Sequence, residues 1–172
     1  MRDRLVVDAS AAIAILRAEP AAGRVRDVLS RPGIIELHVP ELFWLEVVNA
    51  LAVRFGHPAP DIAERILALD ELGLLTDSLG RPALLLALDL MARHRLTACD
   101  AAYLALAMVL DADLATLDSG LAAAAGDRDV LGSRGGMVSE PRTRYGADSG
   151  LAAWAGFGPY LAKLRAESLA GE

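Results

Sequence analysis

The stretch LTACDAAYLALAMVLDADLATLDSGL, residues 96–121, holds a long apolar run entered at Asp100 and a short one, Leu114 to Leu117, that stops at Asp118. A helix that is apolar all round is a buried helix. A four-residue apolar run between turn signals reads as a buried strand. Carboxylates at the ends of buried elements are costly unless something pairs with them. Taken alone, Asp100 reads as a plain N-cap and Asp118 as a turn residue. Taken together, the two ask for a cation.

Toward the N-terminus the same pattern returns. Leu5-Val6-Val7 reads as a buried strand ending at Asp8, and Ser10 can cap a helix from Ala11 to about Leu16. A second helix, about residues 21–29, is stopped by Arg31-Pro32-Gly33. Residues 34–39 form a strand candidate, and Pro40 opens a helix over 41–55 that Gly56 closes. Helices are expected over 61–72, ended by Gly73, and over 83–94 after Pro82, with Leu74-Leu75 a small strand between them. The closing elements are a helix over 100–110, a strand over 114–117 and a short helix over 121–125. Strands alternating with helices imply an α/β fold, a parallel sheet covered on both faces. Such sheets place their sites beyond the carboxyl ends of the strands, the edge at which Asp8 and Asp118 sit.

A further acid belongs to this set. In ELFWLEVVNAL, residues 41–51, Glu46 is flanked by Phe43, Trp44, Leu45, Val47 and Val48. At helical spacing its face holds Leu42, Asn49, Ala50 and Val53, of which only Asn49 is polar. A solvated acid would have more polar company. Glu46 is therefore either a side chain snorkelling at the core margin or a buried carboxylate held charged by a metal.

Composition bounds the rest. The chain has 172 residues, 54% hydrophobic and 23% charged, which fits one globular domain with a continuous core. The single cysteine, Cys99, excludes an intramolecular disulfide and a cysteine-built zinc site, and suits a reducing cytoplasm. The longest apolar run is too short to span a bilayer, and Asp3 and Asp8 interrupt the start where a secretory signal would be apolar. A cytoplasmic protein with no membrane partner is expected. The net charge of −6 argues against nucleic acid, less so if several acids are gathered around a metal. Apart from Lys163 every basic residue is arginine, the better bidentate partner for phosphate, a pattern that a genomic composition bias also explains.

Four segments, VVDASAAIAIL, ELFWLEVVNAL, ACDAAYLALA and LATLDSGLA, resemble the four acidic motifs of PIN-domain nucleases, in the family's order. Among these nucleases the VapC-type toxins of bacterial toxin–antitoxin pairs are the most similar subgroup. The resemblance covers residues 4 to 130. It implies a PIN-like, Rossmann-like three-layer sandwich with a parallel central sheet flanked by helices. It further implies a metal-dependent endoribonuclease that binds Mg2+ or Mn2+ and leaves a 5′-phosphate and a 3′-hydroxyl. The expected partners are an RNA substrate and a cognate antitoxin, in a homodimer or a toxin–antitoxin hetero-oligomer. Carried over position by position, the catalytic acids are Asp8, Glu46, Asp100 and Asp118, with Asp8, Asp100 and Asp118 as metal ligands. Ser10 and Thr116 take the places of the family's site hydroxyls, and Asn49 lies one turn from Glu46. Four carboxylates converging within a few ångströms would repel unless a hard divalent cation neutralised them. The alternative is a non-catalytic PIN-like module that binds RNA or protein.

Neighbouring chemistries fail on particular residues. A phosphatase of the haloacid-dehalogenase type needs a second Asp after strand one, and DASAA lacks it. A receiver domain or such a phosphatase wants a late lysine, and Lys163 lies beyond the fold. No G-x-x-x-x-G-K is present, which excludes a P-loop. His38, His57 and His94 lack metal-ligand spacing and read as surface or loop residues. Asp89 and Arg93 read as an i,i+4 surface pair, Asp77 as a cap or turn, and Asp111 and Asp113 as rim residues. Residues 1–131 form the expected nuclease domain, and 132–172 a Gly/Arg-rich loop with a C-terminal helical extension. Seven of the 15 glycines fall between Gly132 and Gly158. Trp154, Phe157, Tyr160, Leu161 and Leu164 suggest the helix, and Arg134, Arg142 and Arg144 could meet RNA phosphates.

Overall fold

The computed structural model of the protein describes residues 3–34 and 36–132. The proposed extension, with Trp154 and its apolar neighbours and with Arg134, Arg142 and Arg144, lies outside the described residues.

Four strands form one parallel sheet: β1 (Arg4–Val7), β2 (Glu36–Pro40), β3 (Leu74–Asp77) and β4 (Asp113–Ala115), in the order β3-β2-β1-β4. Seven helices accompany them, α1 (Ala9–Leu16), α2 (Ala22–Leu29), α3 (Leu42–Asn49), α4 (Ala59–Asp70), α5 (Arg81–His94), α6 (Ala98–Val109) and α7 (Ser119–Ala125). Helices cover both faces of the sheet, giving the expected three-layer α/β sandwich. Burial of the adjacent strands β1 and β4 explains the apolar sequence there. Leu5, Val6 and Val7 of β1 are buried, as are Leu114 and Ala115 of β4. Every residue of α6 from Ala101 to Ala107 is buried too, because this helix packs on β1, β2 and β4 while α5 and α7 cover its sides. An all-round apolar helix is what such a position requires.

Several boundaries differ from those expected. The α6 helix begins at Ala98, since Thr97, not Asp100, is its N-cap. Asp8 caps α1 by accepting the Ser10 N–H, so Ser10 falls in the first turn. Asp118 caps α7, which starts two residues earlier than expected. Pro40 closes β2 rather than opening a helix, and the helix that follows changes pitch at Ala50. Residues Ala50–Arg54 form a π-helical turn, closed by a Phe55 N–H bond to the Ala50 carbonyl at 3.1 Å. Such a turn inside a helix is uncommon and often marks a functional segment. Gly56 (φ 67°) and Gly73 (φ 68°) end their helices in the left-handed region that glycine adopts without penalty. Asp77 is the last residue of β3, neither a cap nor a turn, and its carboxylate meets His38 Nδ1 at 2.8 Å. His38 itself is buried rather than on the surface, with Nε2 3.3 Å from Glu36. The expected Asp89–Arg93 pair is present at 2.8 Å.

Candidate active site

Because Val7 lies opposite Ala115, the residues leaving β1 and β4 meet at one edge of the sheet. In the order β3-β2-β1-β4 this is the place where the chain switches sides of β1, the kind of crevice in which open α/β sheets bind ligands. The Asp8 N–H donates to the Ala115 carbonyl at 3.0 Å. The Thr116 hydroxyl donates to Asp8 Oδ2 at 2.8 Å, and the Ser10 hydroxyl and N–H donate to the same oxygen. Each hydroxyl also accepts a backbone N–H from the segment after β4: Ser10 that of Leu117 at 2.9 Å, and Thr116 that of Asp118 at 3.0 Å. Two hydroxyls thus tie both strand ends to one carboxylate oxygen.

The other acids are anchored in the same manner. Asp118 Oδ1 accepts the Leu121 N–H at 2.8 Å. Asp100 is the third residue of α6 and forms a capping box with Thr97. Its Oδ2 accepts the Thr97 hydroxyl at 2.6 Å and the Thr97 N–H at 3.3 Å, while Thr97 Oγ1 accepts the Asp100 N–H at 3.1 Å. Each aspartate is therefore held through one oxygen, and among the described residues its second oxygen accepts no hydrogen bond. From α3 the half-buried Glu46 joins them, its Oε2 accepting the Tyr103 hydroxyl at 2.6 Å. Asn49 ends α3 at the junction with the π-helical turn, and is half-buried.

The electrostatics show strain. Burial pushes the Asp8 carboxyl up to about 6; the Ser10 and Thr116 hydrogen bonds oppose the rise and the Asp100 charge adds to it. Burial likewise pushes Glu46 up to about 7, the charges of Asp8 and Asp100 adding to it while the Tyr103 bond opposes it. Tyr103 is pushed far up by burial and by the charges of Asp8 and Glu46, so it is a permanent donor. Among the described residues no basic side chain forms an ion pair with Asp8, Glu46, Asp100 or Asp118.

The four carboxylates do not converge as tightly as the sequence suggested. Among the described residues no group of three or more His, Cys, Asp or Glu side chains that could hold a metal ion is formed. Each acid is held instead by its own donor, Thr116 for Asp8, Tyr103 for Glu46, Thr97 for Asp100 and the Leu121 N–H for Asp118. The donor set nevertheless suits a hard divalent cation chemically. It is all oxygen, and Asp8, Asp100 and Asp118 each keep one oxygen clear of hydrogen bonds from the described residues.

Two residues of the site escaped the sequence reading. Tyr103 was hidden in the apolar run, although a buried phenol needs a partner for its hydroxyl. Thr97 was marked by T-A-C-D, a capping-box spacing. Asp111 and Asp113 stand away from the site, at the start of β4, where they pair with Arg128 at 3.2 Å and Arg31 at 3.3 Å. Phe43 is fully buried, whereas Trp44 is half-buried and donates from Nε1 to the Thr76 hydroxyl at 3.0 Å.

The fold is similar to that of VapC20 from Mycobacterium tuberculosis, a toxin that cleaves the sarcin–ricin loop. That match has a TM-score of 0.58 and 18% identity over 70% of this chain and 94% of that one. The structure of PAE2754 from Pyrobaculum aerophilum matches with a TM-score of 0.52 and 24% identity, over 70% of this chain and 78% of that one. No curated protein matches the chain in sequence. The PIN domain model matches residues 5–127, a span that begins in β1 and takes in all four acids, and the chain therefore belongs to the PIN domain family.

Proposed function

We propose that this chain is a metal-dependent endoribonuclease and the toxin of a VapBC-like toxin–antitoxin pair. The observation that carries the reading is the set of acids that follow β1 and β4 or lie on α3 and α6, brought to one sheet edge with no ion pair to a basic side chain among the described residues. Membership of the PIN family supports a nuclease, and the likeness to VapC20 supports a toxin. Asp8, Asp100 and Asp118 would hold Mg2+ or Mn2+. When bound, the ion supplies Lewis acidity at the phosphodiester and a water of lowered pKa.

The chain's own residues have distinct tasks. Ser10 and Thr116 fix the rotamer of Asp8 by occupying Oδ2, and Thr97 does the same for Asp100. Glu46 orients the attacking water, with Asn49 beside it on the same helix. No serine or histidine nucleophile is required. The RNA substrate approaches across the open edge of the sheet. Among the described residues no helix is long and apolar enough to cross a membrane.

Restraint of such an enzyme calls for a cognate antitoxin. An arginine-bearing segment of that partner would pair with the uncompensated acids, since a guanidinium fork matches carboxylates bidentately. Half-buried Trp44, not Phe43, would contribute apolar contact. A homodimer or a toxin–antitoxin hetero-oligomer is the assembly expected. The loose spacing of the carboxylates is the one observation that favours a non-catalytic RNA- or protein-binding module instead. The purified chain, given RNA with millimolar Mn2+ or with EDTA, distinguishes the two. Cleavage that requires the ion supports the nuclease, as does growth arrest relieved by co-expressing the product of the adjacent gene. A folded protein that cuts no RNA with either ion and leaves growth unaffected supports the module.

A further inference from the structure

The nuclease reading uses four acids and their hydroxyl anchors but leaves Tyr103 without a task. Its ring is fully buried in the middle of the all-apolar face of α6, where phenylalanine would fill the same space without a polar atom to satisfy. The hydroxyl reaches across to α3 and donates to Glu46 Oε2 at 2.6 Å, across 57 positions of sequence. Glu46 is the one acid of the four with no anchor on its own element. Asp8 and Asp118 are held by the first turns of the helices that they cap, and Asp100 by the capping box at the start of its own helix, whereas Glu46 lies inside α3, where backbone N–H groups are already committed. Its long side chain has three rotatable bonds, and the helix beneath it changes pitch only four residues later, at Ala50. Without an external tether its carboxylate would sample several rotamers at the core margin.

We infer that Tyr103 is a positioning residue: it clamps one oxygen of Glu46 from the neighbouring helix and so fixes where the other oxygen meets the attacking water. The inference rests on the nuclease reading above. Tyr103 touches neither substrate nor ion; it acts through Glu46 alone. That dependence separates it from a residue that merely fills the core. Loss of the hydroxyl should matter while Glu46 is present and cease to matter once Glu46 has lost its function.

The test is a double-mutant cycle on RNA cleavage in saturating Mn2+, with wild type, Tyr103→Phe, Glu46→Gln and the double variant, each assayed well below its own melting temperature. Tyr103→Phe should lose roughly tenfold or more in kcat with KM within about twofold, because placement of the catalytic group is lost rather than RNA binding. In the Glu46→Gln background the same substitution should change kcat by less than about twofold. A Tyr103→Phe protein that cleaves like wild type, or a loss that multiplies in full onto that of Glu46→Gln, overturns the inference. A second measurement needs no change at Tyr103. In proton NMR of the wild type, the buried phenol should give a slowly exchanging hydroxyl resonance that moves when Glu46 becomes Gln. A hydroxyl signal indifferent to Glu46→Gln also overturns it. Failure of wild type itself to cleave RNA refutes the nuclease reading, and the inference with it, and is recognised by its appearance before any variant is made.

Discussion

Replacing Asp8 with asparagine should make the metal-free protein more stable at neutral pH, although it removes a residue central to the proposed chemistry. Asp8 is only 6% exposed, and its carboxyl is pushed from 3.8 to about 6 in the folded chain. A folded-state pKa above the unfolded value means that the folded protein binds the proton more tightly. This stabilisation is present in full below about 3.8 and is lost as pH rises through about 6. Above that, the buried charge costs about 3 kcal/mol, at 1.36 kcal/mol per pKa unit. Asparagine keeps a carbonyl oxygen for Ser10 and Thr116 and is an equally good N-cap. It forgoes the attraction of the α1 N-terminus for a negative charge, roughly 0.3–1 kcal/mol. Removal of the buried charge wins, leaving a net gain of about 2 kcal/mol and a rise in Tm of roughly 5–10 °C for a domain of this size. Thermal melts in EDTA at pH 5, 6 and 7.5 check this. The gain should be largest at pH 7.5 and shrink as the pH falls below about 6. A variant less stable than wild type at pH 7.5, or a gain that does not change with pH, would refute the electrostatic reasoning.

Millimolar Mn2+ should raise the Tm of the wild type, by the equivalent of about 2.7 kcal/mol if the ion stands at a hundred times its Kd; melts of Asp8→Asn should show little or no rise. Thr116→Val, at a buried site of matching shape, should lower stability by about 1–3 kcal/mol in chemical denaturation, since it leaves the Asp118 N–H without its acceptor and Asp8 with one donor fewer. Arg95→Gly should raise Tm by a few degrees, because Arg95 ends α5 at φ 58°, a conformation that costs a side-chain-bearing residue roughly 1 kcal/mol. Asp89→Asn breaks only an exposed i,i+4 pair and should shift stability by less than about 0.5 kcal/mol, with RNA cleavage unchanged.

The sheet was legible in the sequence because the adjacent strands β1 and β4 are buried on both faces. Leu5-Val6-Val7 and Leu114-Ala115 carry no polar residue, and α6 could be recognised as buried by its lack of any polar stripe. Helix starts were harder. Asp8 and Asp118 were seen as strand ends, but that each also caps the next helix depends on backbone angles that composition does not reveal. Thr97 could have been read from its spacing to Asp100, and was obscured by the stronger apolar signal that follows. His38 looked like a surface residue because its partner, Asp77, is 39 positions away and meets it only when β2 and β3 pair. The π-helical turn after Asn49 left no mark in a run of ordinary helix formers. The spacing of the four carboxylates was illegible for a similar reason. Each is held by its own donor, and those of Asp8 and Glu46, Thr116 and Tyr103, lie far away in the sequence.

Asp100→Asn offers the most direct test of the central claim. Asparagine at this position can still accept from Thr97 through its side-chain oxygen, so the capping box and the fold are retained while one charge is removed from the site. Cleavage of RNA in Mn2+ by wild type and by Asp100→Asn should be followed side by side, with melts confirming that both are folded. The account predicts ion-dependent cleavage by the wild type and a loss of at least about a thousandfold in the variant, as expected when a group essential to transition-state charge stabilisation is removed. Cleavage by Asp100→Asn at the wild-type rate would contradict it.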